Sequence, residues 1–347
     1  MLRPYLFLLL VFFATMRPSE SVADGHPLFE SNDKLELVLN VPMRTLLRRA
    51  KKKPVLDGQL QYLDSDGNVV TIDLTITSRG KSRLELCTFP PLSITLGEEQ
   101  TASTLFTGQR KLKIVTHCLE GLKYRRYYYQ EYGIYRAYNL LTDHSFRVRM
   151  LEITFRDSEQ RSRDKIVSAF FIESDREVAE RLNMTSIETK SIRPTQFNIA
   201  ETNKYEVFQY MIGNTDWAIL KGPGTENCCH NGKVIGPAGD DENWVVLPYD
   251  FDQSGIINTD YALPSTAFGI RNVRQRLYRG RCRHNEQLAE TFALVNEKRS
   301  EIEAALTPQE LSKRAKKRAL KYLNGFFDNI NDPKKLQEEI LDKCRGA

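Results

Sequence analysis

Alternating apolar and polar positions mark the first third of the chain and predict β-strands there. Apolar residues recur at every second position over residues 35–39, and residues 69–76 show the same period of two, which is the period of a strand with one buried face. Residues 64–68 (Asp-Ser-Asp-Gly-Asn) favour a hairpin turn, because Asp, Gly and Asn tolerate the backbone of tight turns. Residues 34–96 are therefore predicted to be rich in strands.

The period changes to that of a helix over residues 124–141. Tyr128, Tyr132 and Tyr135 share one face of this helix and further aromatic residues share another, so we expect the helix to be packed on both sides. The other predicted elements are strands at residues 146–155, 166–172 and 244–249, and helices at residues 204–212 and after residue 283. This order, strand-rich first and mainly helical last, predicts an α+β protein with two lobes.

The composition is that of a folded globular protein. Hydrophobic residues make up 41% of the chain and charged residues 27%, which excludes disordered and collagen-like chains. The 50 basic residues barely exceed the 45 acidic ones. So small a surplus, spread along the chain, does not indicate nucleic-acid binding.

The N-terminus predicts export from the cytosol. Arg3 precedes an apolar run at residues 5–14, and residues 21–23 (Ser-Val-Ala) form a small-residue cleavage motif, so residues 1–23 are predicted to be a signal peptide. The apolar run is too short to span a bilayer core of roughly 30 Å as a helix. We therefore expect a secreted or periplasmic protein with no membrane span after signal cleavage.

All six cysteines follow the predicted signal, which suits an oxidising compartment. We expect two disulfides, Cys87–Cys118 and Cys282–Cys344. Adjacent cysteines rarely bridge each other, so Cys228 and Cys229 are expected to remain outside this pairing. A zinc site that combines them with His230 stays open, although the spacing matches no established ligand pattern.

Paired carboxylates are the strongest chemical signal. Asp250 and Asp252 follow the apolar residues 244–247 at the end of a predicted strand. Residues two apart in an extended segment project to the same side, roughly 7 Å from each other. A divalent cation bound through oxygen atoms would relieve their repulsion. The alternative is a turn with two exposed acids.

A second acidic group lies upstream. Asp216 is in a short loop that leaves the helix predicted at residues 204–212, beside Trp217. It could act as a base or orient a hydroxyl group, or it could simply cap the next element. Asn231 could supply an amide oxygen to the same metal, or belong to the turn before Gly232.

Basic residues in the first half could bind phosphate. Lys111 and Lys113 leave one face of a predicted strand, and either could reach a phosphate with Glu131 as its ionic partner; alternatively both face solvent. Residues 79–83 (Arg-Gly-Lys-Ser-Arg) form a basic turn whose glycine permits close approach to an anion. The chain has no phosphate-binding loop of the Walker type, and no serine-hydrolase or zinc-protease motif.

In chain order these pieces follow the working parts of a protein kinase: a basic glycine turn, a lysine strand, a glutamate helix, an aspartate loop and a strand that ends in Asp-x-Asp. The amino-acid sequences of these segments resemble those of the CotH family of atypical, secreted or spore-coat kinases. The matching segments are residues 79–83, 214–217 (Asn-Thr-Asp-Trp) and 248–252 (Pro-Tyr-Asp-Phe-Asp), within roughly residues 75–255. The chain has Tyr at position 249, where Trp is common in the family. The number of residues between Asp216 and Asn231 is also larger than between the corresponding residues of ordinary kinases.

The resemblance implies an α+β, two-lobed, protein-kinase-like (CotH-type) fold. Its β-rich N-terminal part would cover residues 24–173, and its helical C-terminal part residues 174–347. The implied cofactors are ATP, or another nucleotide, with Mg²⁺ or Mn²⁺. The implied site residues are Asp216 as the catalytic acid; Lys113, Glu131, Arg79 and Ser82 at the nucleotide; and Asp250, Asp252 and Asn231 at the metal.

The implied function is that of an exported, metal-dependent phosphotransferase that acts on a protein of the envelope or cell surface. One alternative is a catalytically inactive kinase-like module that binds a surface partner, for which the aromatic helix and the basic residues 271–279 would be the contact region. Another is hydrolysis of phosphoesters by the same carboxylates.

Overall fold

The first half of the chain forms a closed β-barrel in the computed structural model, which describes residues 26–80 and 82–346. Its strands are β1 (Leu35–Val41), β2 (Leu56–Leu63), β3 (Val69–Ser78), β4 (Leu92–Leu96), β5 (Lys111–Thr116), β6 (Val148–Asp157) and β7 (Lys165–Ile172). Their order around the barrel is β1-β2-β3-β4-β5-β7-β6. Neighbours are antiparallel, except that β6 closes the barrel by pairing with β1 in parallel. The signal peptide predicted at residues 1–23 lies outside the described residues.

The alternation of the strands explains how the barrel fills its core. In β3, Ile72, Leu74 and Ile76 are buried while their neighbours point outward, which is the period of two expected for one inward face. The predicted hairpin joins β2 to β3. There the Asp64 carboxylate accepts backbone N–H groups within the turn, and Gly67 takes the positive φ that the turn requires.

Helices cover the barrel and make up the end of the chain. They are α1 (Met43–Arg48), α2 (Ser82–Leu86), α3 (Glu98–Thr101), α4 (Leu122–Asn139), α5 (Asp175–Arg181), α6 (Ile199–Ile212), α7 (Leu288–Glu297), α8 (Arg299–Leu306), α9 (Lys313–Asn331) and α10 (Pro333–Glu339). None of the helices in the described ranges is long and apolar enough to cross a bilayer.

Helix α4 is packed on both sides, as its aromatic faces predict. On the barrel side, the Tyr128 hydroxyl donates a hydrogen bond to the Ala169 carbonyl of β7 at 2.6 Å. On the other side, Gly133 lies so close to α8 that an added Cβ would be 2.3 Å from the Ala305 carbonyl oxygen. The helix therefore joins the barrel to the helical part of the chain.

A small second sheet lies beyond the barrel. It consists of β8 (Thr185–Ile187), β9 (Gly232–Gly236) and β10 (Val245–Pro248), in the antiparallel order β10-β9-β8. The buried helix α6 leads to this sheet. The helix begins after Asn198, whose side chain accepts a hydrogen bond from the Glu201 N–H, and it ends at Gly213, which has a φ of 66°. Gly213 also packs against Tyr322, where no side chain would fit. These caps fix the start of the loop that carries Asp216.

The predicted two-lobed, protein-kinase-like fold is wrong. The first seven strands close on themselves through the β1–β6 pair, so they form a barrel with a helical part after it. Hydrophobic periodicity marks each strand but does not identify its partners, because strand pairing is a long-range choice. The boundary predicted between residues 173 and 174 stays a prediction; the last barrel strand ends at Ile172.

The cysteines form three disulfides. The predicted pairs Cys87–Cys118 and Cys282–Cys344 are confirmed. Cys228 and Cys229 bridge each other, contrary to our expectation, and this bond removes them as thiolate ligands for zinc. The pair at Cys87 links the end of α2 to the segment after β5, so it fixes one wall of the site described below.

Replacing Gly133 by Ala should destabilise the protein by about 1–3 kcal/mol, because the new methyl group would collide with the α8 backbone. Gly325→Ala is the matched control within α9. Its Cβ would meet only the flexible end of Arg276, at 3.4 Å, so it should be neutral or stabilise by up to about 1 kcal/mol. Denaturant unfolding measures both changes, and equal effects of the two substitutions would contradict the close α4–α8 packing.

Candidate functional site

Charged side chains from distant parts of the sequence meet in one cleft between the barrel, α4 and the end of β10. The cleft contains a cavity of about 120 Å³. Its charged and aromatic lining residues are Arg79, Arg83, Lys113, Glu131, Tyr135, Phe146, Tyr249 and Asp250. Positive and negative groups thus share a small volume that the barrel and α4 enclose.

Arg83 of α2 is the centre of this charge cluster. Its Nη2 atom lies 2.8 Å from the Asp252 carboxylate and 3.4 Å from those of Glu131 and Asp250. Its Nε atom donates a second hydrogen bond to Asp252, at 3.2 Å. The arginine is 16% exposed, so one largely buried guanidinium holds three carboxylates.

Burial and mutual repulsion change the pKa values of these groups. Burial raises the pKa of Glu131 to about 7, against the attraction of Arg83. Removal from bulk solvent and repulsion by Asp252 also raise the pKa of Asp250, although its side chain is still 44% exposed. Burial opposes the charge of Arg83, but the three carboxylates raise its pKa well above the usual value. The guanidinium therefore stays charged.

Lys113 of β5 reaches the same cavity. Its Nζ atom lies 5.8 Å from the centre of the Tyr249 ring, whereas Lys111, at the edge of the barrel, is exposed. Burial and the nearby charge of Arg79 lower the pKa of Lys113 to about 8. Glu131, the predicted ionic partner of Lys113, is paired with Arg83 instead.

Asp250 owes its position to an unusual backbone conformation. Its φ is 61°, in the left-handed region that residues other than glycine seldom adopt. Its N–H group donates to the Tyr135 hydroxyl at 3.0 Å. The chain therefore turns directly after β10, and the extended geometry predicted for Asp250 and Asp252 is wrong. Both carboxylates nevertheless meet at Arg83.

A second polar group surrounds Asp216. Its carboxylate lies 2.8 Å from His230 Nε2 and accepts the Asn231 side-chain N–H at 2.9 Å. The hydrogen bond with Asp216 raises the pKa of His230. The Asn231 amide nitrogen also donates to the Asp216 carbonyl at 2.7 Å. The acid is thus fixed in one orientation, and its charge contributes to the raised pKa of Asp250.

The structure brings together most of the predicted site residues. Four of them line the cavity: Arg79, Lys113, Glu131 and Asp250. Asp252 forms an ion pair with Arg83, which also lines the cavity. Asp216 and Asn231 form the neighbouring polar group. Ser82 is the first residue of α2. Arg83 and Tyr135 were missed as site residues, although Arg83 ends the basic turn that drew attention to Arg79.

The carboxylate oxygens of Asp250 and Asp252 suit a hard cation such as Mg²⁺ or Mn²⁺. No group of three or more His, Cys, Asp or Glu side chains in the described ranges is arranged to hold a metal ion. Mg²⁺ is usually bound by one or two carboxylates together with water and substrate phosphates. The residues present therefore fit a cation that enters with a phosphate rather than a metal held by protein alone.

No protein-family model matches the chain, and no curated protein matches it.

Lys113 should react with amine reagents at a lower pH than an ordinary surface lysine, because only the neutral amine is nucleophilic and its pKa is about 8. Lys34 is the reference, since the hydrogen bond that its ammonium group donates to Glu152 raises its pKa above the usual value. Competitive acetylation followed by peptide mass spectrometry measures both midpoints. Arg79→Gln should move the Lys113 midpoint to higher pH by removing a nearby positive charge. Coincident midpoints for Lys113 and Lys34 would contradict the site geometry.

Proposed function

We propose that the cleft catalyses metal-assisted phosphoryl transfer from a nucleotide such as ATP to a hydroxyl group of an envelope or surface protein. One observation carries the proposal: carboxylates and basic residues converge in one enclosed cavity beside an oriented aspartate, Asp216. Phosphoryl transfer needs cationic groups for phosphate, oxygen ligands for a metal and an acceptor for the hydroxyl proton.

Phosphate would bind at the basic wall of the cavity. Arg79 and Lys113 both line it, and neither forms an ion pair with another side chain in the parts of the chain that the structure describes. At pH 7 Lys113 is largely protonated, because its pKa is about 8. The two cations are therefore free to receive an anion, which would in turn raise the pKa of Lys113.

The nucleoside has room beside this wall. A larger cavity of about 1280 Å³ adjoins the small one at Lys113, which lines both. The amino-terminal end of α5 and the edges of β8 and β9 contribute to it, including Asp175 and Lys233. A phosphate at Lys113 would therefore leave the base and sugar in the larger cavity.

Asp250 and Asp252 would hold Mg²⁺ or Mn²⁺, and Asn231 is close enough to Asp216 to assist at that end of the cleft. The metal would supply charge neutralisation for the transferred phosphoryl group. Asp216 would orient the acceptor hydroxyl and take its proton while the bond between the γ-phosphorus and the leaving oxygen breaks. His230 and Asn231 keep the Asp216 carboxylate pointed in one direction.

A non-catalytic binding module is the second candidate, and Arg83 is the observation that favours it. The guanidinium already forms ion pairs with Glu131, Asp250 and Asp252 and so holds the oxygen atoms that a metal would bind. If Arg83 does not release a carboxylate, the cleft binds a partner without metal chemistry. Nucleotide and metal binding therefore separates the two candidates.

Wild-type protein should be stabilised by ATP with Mn²⁺, by about 2.7 kcal/mol at one hundred times the dissociation constant, and Asp250→Asn should abolish the effect. Asp73→Asn, on the outer face of β3, is the control that should keep it. Thermal unfolding with and without ligand measures the change. Absence of any shift in the wild-type protein would favour the binding module.

Asp216→Asn should keep the stabilisation by ATP with Mn²⁺ but reduce phosphoryl transfer by about 10²–10⁴-fold, the usual contribution of a general base. Transfer from radiolabelled ATP to the protein itself, or to water, provides the measurement. Asp240→Asn, in a surface turn, is the matched control. Full activity in Asp216→Asn would exclude Asp216 as the base.

A further inference from the structure

The first half of α9 presents a strongly basic surface. Its members are Lys313, Arg314, Lys316, Lys317, Arg318 and Lys321, which we call the α9 basic face. All are exposed except the half-buried Lys316. Within residues 26–80 and 82–346, no carboxylate lies close enough to form an ion pair with any of them. The same stretch of helix carries no acidic residue.

This arrangement opposes the stability of the helix. The first turn of a helix favours acidic side chains, because the aligned peptide dipoles make that end positive, yet α9 begins with Lys313 and Arg314 and has no acid there. Lys313, Lys317 and Lys321 follow one another at intervals of four, where like charges repel. Partial burial and the charges of Arg126 and Arg314 lower the pKa of Arg318. A bound anion would relieve all of these repulsions.

The apolar side of α9 is unavailable to an outside partner. Leu323, Phe326 and Phe327 are buried in the helical core. A helix that lies in a lipid surface inserts its apolar side between the acyl chains, which α9 cannot do while the protein is folded. The basic face therefore offers charge without a hydrophobic anchor.

The spacing of the lysines fits an extended acidic chain. Residues four apart in a helix are separated by about 6 Å along its axis. Side chains two apart in an extended peptide are separated by roughly 6.6–6.8 Å and point to the same side. Acidic residues at alternate positions of an extended segment would therefore meet Lys313, Lys317 and Lys321 in turn. A shallow depression runs along the same residues and leaves room for a peptide backbone. Asn324, Gly325 and Asp328 line its far end, so an acidic segment would lie toward the lysine end, away from the Asp328 carboxylate.

We propose that the α9 basic face docks an extended acidic segment of a partner protein. The inference goes beyond the proposed function and does not require nucleotide or metal. Its charges are exposed, so the attraction is screened by salt, and the docking depends on several contacts at once.

Contacts within the protein connect this face to the cleft. Arg318 lies near Arg126, whose guanidinium stacks 4.6 Å from the centre of the Tyr127 ring. Tyr127 in turn contacts Tyr261, with ring centres 6.3 Å apart. The Tyr261 hydroxyl interacts with Asp252. The α9 basic face is thus linked to the cleft through α4, the helix that carries Arg126, Tyr127 and Glu131.

The test uses the full chain and a fluorescent peptide of about twelve residues with Glu alternating with Ser, which places successive carboxylates on one side. A peptide with Gln in place of Glu is the uncharged reference. The variant is Lys313→Gln/Lys317→Gln/Lys321→Gln. Its control, Arg49→Gln/Lys52→Gln/Lys53→Gln, removes the same charge from an exposed basic segment elsewhere. Loss of like charges near the start of α9 should leave the melting temperature unchanged or raised.

The Glu peptide should bind the wild-type protein and the control variant alike, and the α9 variant about tenfold more weakly, as expected for the loss of three exposed ion pairs. The Gln peptide should not bind. Equal losses in both variants would overturn the proposal in favour of general charge attraction. Binding of a heparin oligosaccharide or of phosphatidylserine vesicles through the same lysines, without binding of the Glu peptide, would overturn it in favour of a glycan or a lipid surface.

Discussion

The contact between Arg83 and three carboxylates is the interaction on which the cleft depends. It joins α2, α4 and the segment after β10, which are far apart in the sequence. Removing one partner of a buried ion pair costs about 3–5 kcal/mol, so loss of Arg83 would leave the buried Glu131 and Asp252 side chains without their cation. The disulfide Cys87–Cys118 sits at the end of the helix that carries the arginine. The geometry of the cleft and the stability of its walls therefore rest on the same contact.

The charge balance of the cleft also restricts its ligands. Arg79, Arg83 and Lys113 face Glu131, Asp250 and Asp252, and Glu131 is partly protonated near pH 7 because its pKa is about 7. The cluster therefore carries at most a small net charge. A nucleotide would add several negative charges, more than this cluster can offset, and burial makes uncompensated charge costly. A divalent cation that enters with the phosphates restores the balance. In the proposed function, a metal that enters with the nucleotide is therefore expected on charge grounds, independently of any resemblance to a known family.

Local features of the structure could be predicted from the sequence, whereas long-range pairing could not. The two packed faces of α4, the β2–β3 hairpin and the end of α6 at Gly213 each follow from neighbouring residues. Barrel closure depends on β1 meeting β6, a choice that alternation does not encode. Candidate carboxylates were identified because acids near a strand end are conspicuous. Arg83 was missed because one arginine in a basic turn looks like any other until its partners are known.

The way in which Arg83 shares its partners indicates which carboxylate could bind a metal first. Asp252 receives two hydrogen bonds from the guanidinium and is 11% exposed, whereas Asp250 has one contact of 3.4 Å and is 44% exposed. Arg83 cannot yield by losing its proton, since its pKa is raised. In the proposed function, a metal would therefore have to take a carboxylate from the guanidinium, and the cost would be lowest at the weaker, more hydrated contact. Asp250 is thus the group that can exchange partners while Arg83 and Asp252 keep the cleft intact.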